Sequence, residues 1–206
     1  IRCLVVHELR AGTLEEGRHD ILTGAGLVTI STEGRRRVRA NMGVPNLQGR
    51  HEADVAGTII PGFNVSMGNP HFVVFGSEIG RKVLDDELVL GTGARLETHG
   101  DFPNRTNVEF VKIVSATRIE MRVWERGIGE TLACGSGACA AAVAAISLER
   151  VGPHLIVDMP GGELEVEWEA GGPVWLSGPA EEVFSGEIDR DWLAARGLSK
   201  HAELVA

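Results

Sequence analysis

Hydrophobic and polar positions alternate with a period of two along much of the chain. Ile119, Met121 and Val123 alternate with Glu120 and Arg122, and Leu164, Val166 and Trp168 with Glu163, Glu165 and Glu167. Each pattern predicts a strand with one buried face. Val108 to Val114 predicts another strand, joined to the one at 119–124 by the polar turn Ser115-Ala116-Thr117. Phe72 to Phe75 is short and unbroken in its apolarity, which predicts a strand buried on both faces. Helical signals are fewer. Ile1, Leu4, Val5 and Leu9 share one face of a 3.6-residue period. Glu87 to His99 predicts a short helix interrupted by Gly91 and Gly93. Ala138 to Arg150 is the clearest helix: it is Ala-rich, follows a glycine-flanked turn and stops before Gly152-Pro153.

The pattern also echoes itself. A helix over 1–10, a polar turn, Leu27 to Ile30, Gly34 and a strand over 36–42 are matched by a helix over 138–150, a turn, Leu164 to Glu167, Gly171 and a strand over 174–177. The offset is 137 residues for the helix starts, the first strands and the glycines. Two related units are expected, each a β-structure around one helix. Residue 1 is Ile and no capping residue precedes its helix, so the first unit is expected to lack its opening half.

Composition narrows the class. The chain has 206 residues, 43% hydrophobic and 24% charged, which suits one or two globular domains and excludes a disordered or fibrous chain. Its 27 glycines imply many tight turns. A net charge of −9 argues against nucleic acid as a partner. The basic run Arg35, Arg36, Arg37 and Arg39 reads as a solvated hairpin between two strands. The longest apolar run, Ala138 to Ile146, is far short of the roughly 20 residues a membrane helix needs, and no signal-peptide pattern opens the chain. Three cysteines, Cys3, Cys134 and Cys139, form no disulfide framework and fit a reducing, cytoplasmic compartment. No CxxC and no histidine pair suggests a metal site.

The chemistry concentrates in Glu125 to Cys139. Cys134 lies just before the Ala-rich helix, where unpaired N–H groups and the positive end of the helix lower a thiol pKa. Gly135 and Gly137 leave room for a substrate carboxylate against those N–H groups. Cys139, inside the helix, reads as core. Glu125 and Arg126 end a strand and could address an ammonium and a carboxylate of one ligand, or form a solvated pair. Asn69 and His71, around Pro70, precede a buried strand. Asn69 offers both donor and acceptor, and His71 could share a proton with a thiol or serve structure alone. Asn107, at a strand start, is a candidate ligand contact, whereas Asn104 and Arg105 read as turn residues.

Taken together, these stretches resemble the diaminopimelate epimerase family. The resemblance is carried by MGNPH at Met67 to His71, FPNRTNVEF at Phe102 to Phe110, ERGIGETLACGSGACAA at Glu125 to Ala141 and GPAEEVFSGEI at Gly178 to Ile188. It extends over nearly the whole chain. Ile1-Arg2-Cys3 looks like the tail of the family's first cysteine motif, whose leading cysteine would lie upstream of residue 1. The resemblance implies an α+β fold of two pseudo-symmetric β-barrel-like domains, each around a central helix. It divides the chain into 1–41, with a returning segment 179–206, and 42–178. It implies a PLP-independent epimerase, without cofactor or metal, interconverting LL- and meso-2,6-diaminopimelate for lysine and peptidoglycan synthesis. Two cysteines act on opposite faces of the substrate, as base and acid. On this reading Cys134 is the catalytic cysteine present. His71 and Glu125 tune the thiols, and Asn69, Asn107, Glu125, Arg126, Gly135 and Ser136 contact the substrate. A small-molecule substrate, a homodimer at full length, and no nucleic acid or membrane are the partners implied. The chain as it stands is expected to be inactive.

The residues leave other readings open. Another isomerase of the same fold, of proline-racemase or phenazine type, is the nearest. A binding fragment without turnover is a second. A cysteine hydrolase with Cys134 as nucleophile and His71 as base is a third.

Overall fold

A computed structural model describes residues 1–24, 26–34, 36–184 and 186–197. Arg35 of the basic run and residues 198–206 of the returning segment lie outside them. Twelve strands form one mixed sheet. In chain order the elements are α1 (Arg2–Ala11), β1 (Arg18–Thr23), β2 (Gly26–Glu33), β3 (Arg37–Asn41), β4 (Asn46–Val55), β5 (Thr58–Ser66) and β6 (Pro70–Phe75). A π-helical turn (Glu87–Thr92) then runs into α2 (Gly93–Glu97). There follow β7 (Asn107–Ser115), β8 (Arg118–Glu125), β9 (Gly129–Thr131), α3 (Gly135–Ser147), β10 (His154–Met159), β11 (Gly162–Glu167), β12 (Trp175–Pro179) and α4 (Arg190–Ala194).

Across the sheet the order is β1-β2-β3-β12-β11-β10-β8-β7-β6-β5-β4, and β9 pairs with β8. Two neighbouring pairs are parallel, β6 with β7 and β8 with β10. These are the places where helical chain intervenes between the strands, since a parallel return needs a crossover that a short hairpin cannot supply. The remaining neighbours are antiparallel.

The sequence echo becomes geometry. α1 is followed by the meander β1-β2-β3, and α3 by the meander β10-β11-β12. The strands of the second meander begin 136, 136 and 138 residues after those of the first. The two third strands pair antiparallel, with Arg39 opposite Ser177. This joins the two units through equivalent strands.

α3 is the hub. Residues Ala138 to Ala145 are all fully buried, as expected of a helix apolar on every side. Their small side chains let β5 to β8 and β10 to β12 close around it. Val73, Phe75, Val111, Met121, Val123, Val157 and Val166 pack against it. Phe72, Val74, Val108 and Phe110 point to the opposite face, where Leu88, Val89 and Leu96 of the π turn and α2 cover them. The predicted two-sided burial of 72–75 is therefore observed, and this apolar strand carries His71 at its start.

Three expectations are revised. α3 begins at Gly135, not Ala138, and ends at Ser147. Its glycines occupy the first turn, because Cys134 itself supplies the cap. In α1 the buried stripe is Val5, Val6 and Leu9, while Ile1 and Leu4 are exposed. The basic run is only partly a solvated turn: Arg37 and Arg39 belong to β3 and pair with Glu165 and Glu167 of β11. The hairpin β4–β5 carries no clear apolar alternation in its first strand, and sequence reasoning did not find it.

Candidate active site

The strand faces turned toward α3 are apolar along most of its length and become polar at its N-terminal end. Parity does this. On β6, Val73 and Phe75 pack under the helix, so His71 lies on the same face. On β7, Val111 does so, and Asn107 and Glu109 follow from it. On β8, Met121 and Val123 do so, and Glu125 follows. The parallel register sets His71 opposite Asn107 and Val73 opposite Glu109.

Cys134 is the N-cap of α3. Its Sγ accepts from the Gly137 N–H at 3.4 Å and lies 3.6 Å from Ser136 Oγ. Ser136 Oγ accepts from Asn69 Nδ2 at 3.4 Å, which leaves its own proton free to point at the sulfur. Asn69 Oδ1 lies 3.0 Å from His71 Nε2, and His71 Nδ1 lies 2.7 Å from Glu109 Oε1. One continuous polar chain therefore runs from the thiol through Ser136, Asn69 and His71 to Glu109. His71 and Glu109 are 1% and 0% exposed.

The structure brings together most of the residues singled out in the sequence. Asn107 makes two hydrogen bonds: its amide donates to Pro70 O at 2.8 Å and its carbonyl accepts from Arg126 N at 3.0 Å. It ties the start of β6 to the end of β8 and holds the backbone of Arg126. Glu125 accepts a hydrogen bond from Thr131. Arg126 is exposed, with Nη1 3.3 Å from Asn104 O. Asn69, His71 and Arg126 line an open cleft of about 550 Å³, together with the turn residues Asn104 and Arg105. Cys134 does not line that cleft and meets it through Ser136 and Asn69. Cys139 is fully buried, as expected of core, and Cys3 is exposed.

One expectation is overturned. The Cys134 thiol is held above its ordinary pKa, not below it. Burial is the largest cause, since the residue is only 8% exposed and a thiolate there is poorly solvated. The Gly137 N–H and the Ser136 hydroxyl oppose this, but the charges of Glu109 and Glu125 add to it.

Two acidic residues escaped the sequence reading. Glu97 of α2 is buried and shapes the turn after β8. Burial acts to raise its pKa, but hydrogen bonds from Gly127 N (2.7 Å) and Trp124 Nε1 (3.2 Å), with the Arg105 guanidinium at 3.3 Å, leave it lowered. Gly127 takes φ 76° in that turn, a conformation that favours glycine. Glu109 is the other, and its signal was visible: an acid at an inward position of the run Val108-Glu109-Phe110-Val111 is rare unless paired. Elsewhere, donor atoms of His154, Glu165 and Glu167 lie within 4.8 Å of one another. Both carboxylates are already met by Arg37 and Arg39, and none of the three lines the cleft.

The mixed sheet wrapped on a central helix is a fold shared with solved racemases and epimerases. A solved probable proline racemase from Agrobacterium radiobacter K84 superposes with a TM-score of 0.68 at 18% identity, over 91% of this chain and 66% of that one. The family model for diaminopimelate epimerase matches residues 63–183. The diaminopimelate epimerase of Desulforudis audaxviator (strain MP104C) is 43% identical over 205 residues, covering 91% of this chain and 72% of its own length. The chloroplastic diaminopimelate epimerase of Oryza sativa subsp. japonica is also 43% identical, and there the match spans 54% of the relative. The chain belongs to the diaminopimelate epimerase family.

Proposed function

We propose that the chain belongs to an amino-acid epimerase that interconverts LL- and meso-2,6-diaminopimelate by proton transfer at Cα, serving lysine and peptidoglycan precursor synthesis. The observation that carries this reading is the thiol of Cys134 at the N-terminus of α3, linked through Ser136 and Asn69 to His71 at the wall of the cleft.

Removing the Cα proton leaves negative charge that spreads onto the substrate carboxylate. The first-turn N–H groups at Gly135 and Ser136 offer donors for that carboxylate without reorganisation. Cys134 gives or takes the proton on one face. It acts as the acid in one direction and as the base in the other, as reversal of the same proton transfer requires. Inversion needs a second acid–base group on the opposite face. In this reading Arg126 binds the carboxylate at the far end of a long substrate, which its exposure at the cleft and the Asn107 bond to its backbone support. No step in this scheme draws on PLP or a metal ion, and a small molecule is the only ligand it requires.

The experiment is a selectivity assay for Cα proton exchange. Exchange should occur with diaminopimelate and fall by about 10-fold or more with alanine or proline, which lack the distal group that pairs with Arg126, since a hydrogen bond to a charged group is worth about 1.5–3 kcal/mol. It should persist after treatment with a chelator and with hydroxylamine. Equal exchange of proline would transfer the reading to the proline racemase type, the second reading that the fold supports.

A further inference from the structure

Glu109 has no part in the scheme above, yet it is the most deeply buried charge beside the thiol. Its Oε1 is 2.7 Å from His71 Nδ1, and its Oε2 has no hydrogen-bond partner among the described residues. A buried carboxylate with one oxygen unpaired is costly, and it persists only where something offsets the cost. The same carboxylate presses on the first turn of α3. A Cβ built on Gly137 would lie 2.8 Å from Glu109 Oε1 and 3.3 Å from Cys134 Sγ. Glycine at 137 thus lets the carboxylate and the sulfur share one small space.

From this proximity we infer that Glu109 is a positioning residue that holds His71 in the polar chain and, by its charge, biases Cys134 toward the thiol. The inference rests on the reading of Cys134 as an acid–base thiol. His71 touches the Glu109 carboxylate and Cys134 lies beside it, so the charge of one buried group acts on both sides. The negative charge of Glu109 disfavours the Cys134 thiolate. The polar chain through Asn69 and Ser136 keeps this geometry fixed.

Among the described residues the other charged groups near the thiol are few. Glu125 of β8 also disfavours the thiolate. Cys139 lies deeper in α3, and Arg2 of α1 acts on Cys139. The strands β11 and β12 meet the helix with Leu164, Val166 and Leu176. Glu109 is the charged group in contact with His71 that also bears on Cys134.

The test is the pH profile of Cys134 alkylation by iodoacetamide in the full chain, followed by mass spectrometry. Glu109→Gln keeps the shape and removes the charge, and should lower the midpoint by about one pH unit, the low end of what a close charge does. Glu109→Asp keeps the charge and should leave the midpoint within about half a pH unit of that in the unsubstituted chain. A lowered midpoint in Glu109→Gln with a retained one in Glu109→Asp supports the inference, whereas a purely structural role would move both alike. An unmoved or raised midpoint in Glu109→Gln overturns it, as does a midpoint in Glu109→Asp as low as that in Glu109→Gln. If Glu109→Gln fails to fold, Glu109→Met, uncharged and of similar size, is read in its place. The readout needs no turnover, so it can fail while diaminopimelate exchange holds, or hold while exchange fails.

Discussion

At Cys134 two opposing effects meet. The end of α3 and the donors Gly137 N–H and Ser136 Oγ favour a thiolate, while burial and the carboxylates Glu109 and Glu125 disfavour it. The second set wins, so the unfolded chain gives up this proton before the folded one does. The contribution of this thiol to stability is therefore present below the ordinary thiol range and is lost as pH rises through its raised folded value. Alkylation at neutral pH should be slower at Cys134 than at exposed Cys3, with a Cys134 midpoint above the free-thiol value of about 8.5. A midpoint at or below that value, read by mass spectrometry, would contradict this balance. The position of Cys134 was legible in the sequence, because a cysteine before a Gly-Ser-Gly helix start is a local pattern. Its pKa was not, because burial, the largest cause, and the charge of Glu109 on β7 both come from tertiary packing and sheet register.

At the scale of the element, α3 depends on close approach at its first turn. Gly137→Ala would drive a Cβ against Cys134 and against Glu109, which is fully buried and held by His71. The expected loss is about 1–3 kcal/mol in urea denaturation, the usual cost of overpacking. Gly135→Ala meets only the tip of Leu176 at 3.3 Å and should cost less. Equal stability of the two variants would remove the close contact from the explanation. The same scale shows why some strands could be read and one hairpin could not. In β8, Ile119, Met121 and Val123 face a helix and alternate cleanly. β4 is an edge strand, mostly exposed over Asn46 to Glu52, and holds its place by backbone pairing with β5, which leaves little trace in side-chain pattern.

At the scale of the molecule, a helix followed by a three-stranded meander occurs twice, and the two copies meet along β3 and β12. The repeat was legible as a pattern offset, since equivalent strands bury equivalent faces. We propose a division into 1–41 and 42–178, with the chain returning to the first unit from residue 179. Ala180 packing in the cluster of Val5, Val6 and Leu9 supports it. Among the described residues no helix is long and apolar enough to cross a membrane. The central claim is that Cys134 moves the Cα proton on one face of the substrate. The most direct measurement incubates the 206-residue chain and its Cys134→Ala variant with LL- and meso-diaminopimelate in D₂O, following deuterium at Cα and interconversion together. The expected result is deuterium uptake that disappears in Cys134→Ala, without interconversion at a matching rate, because Cys3 is exposed and Cys139 is sealed in the core. Undiminished uptake in Cys134→Ala, or interconversion as fast as exchange, would contradict it.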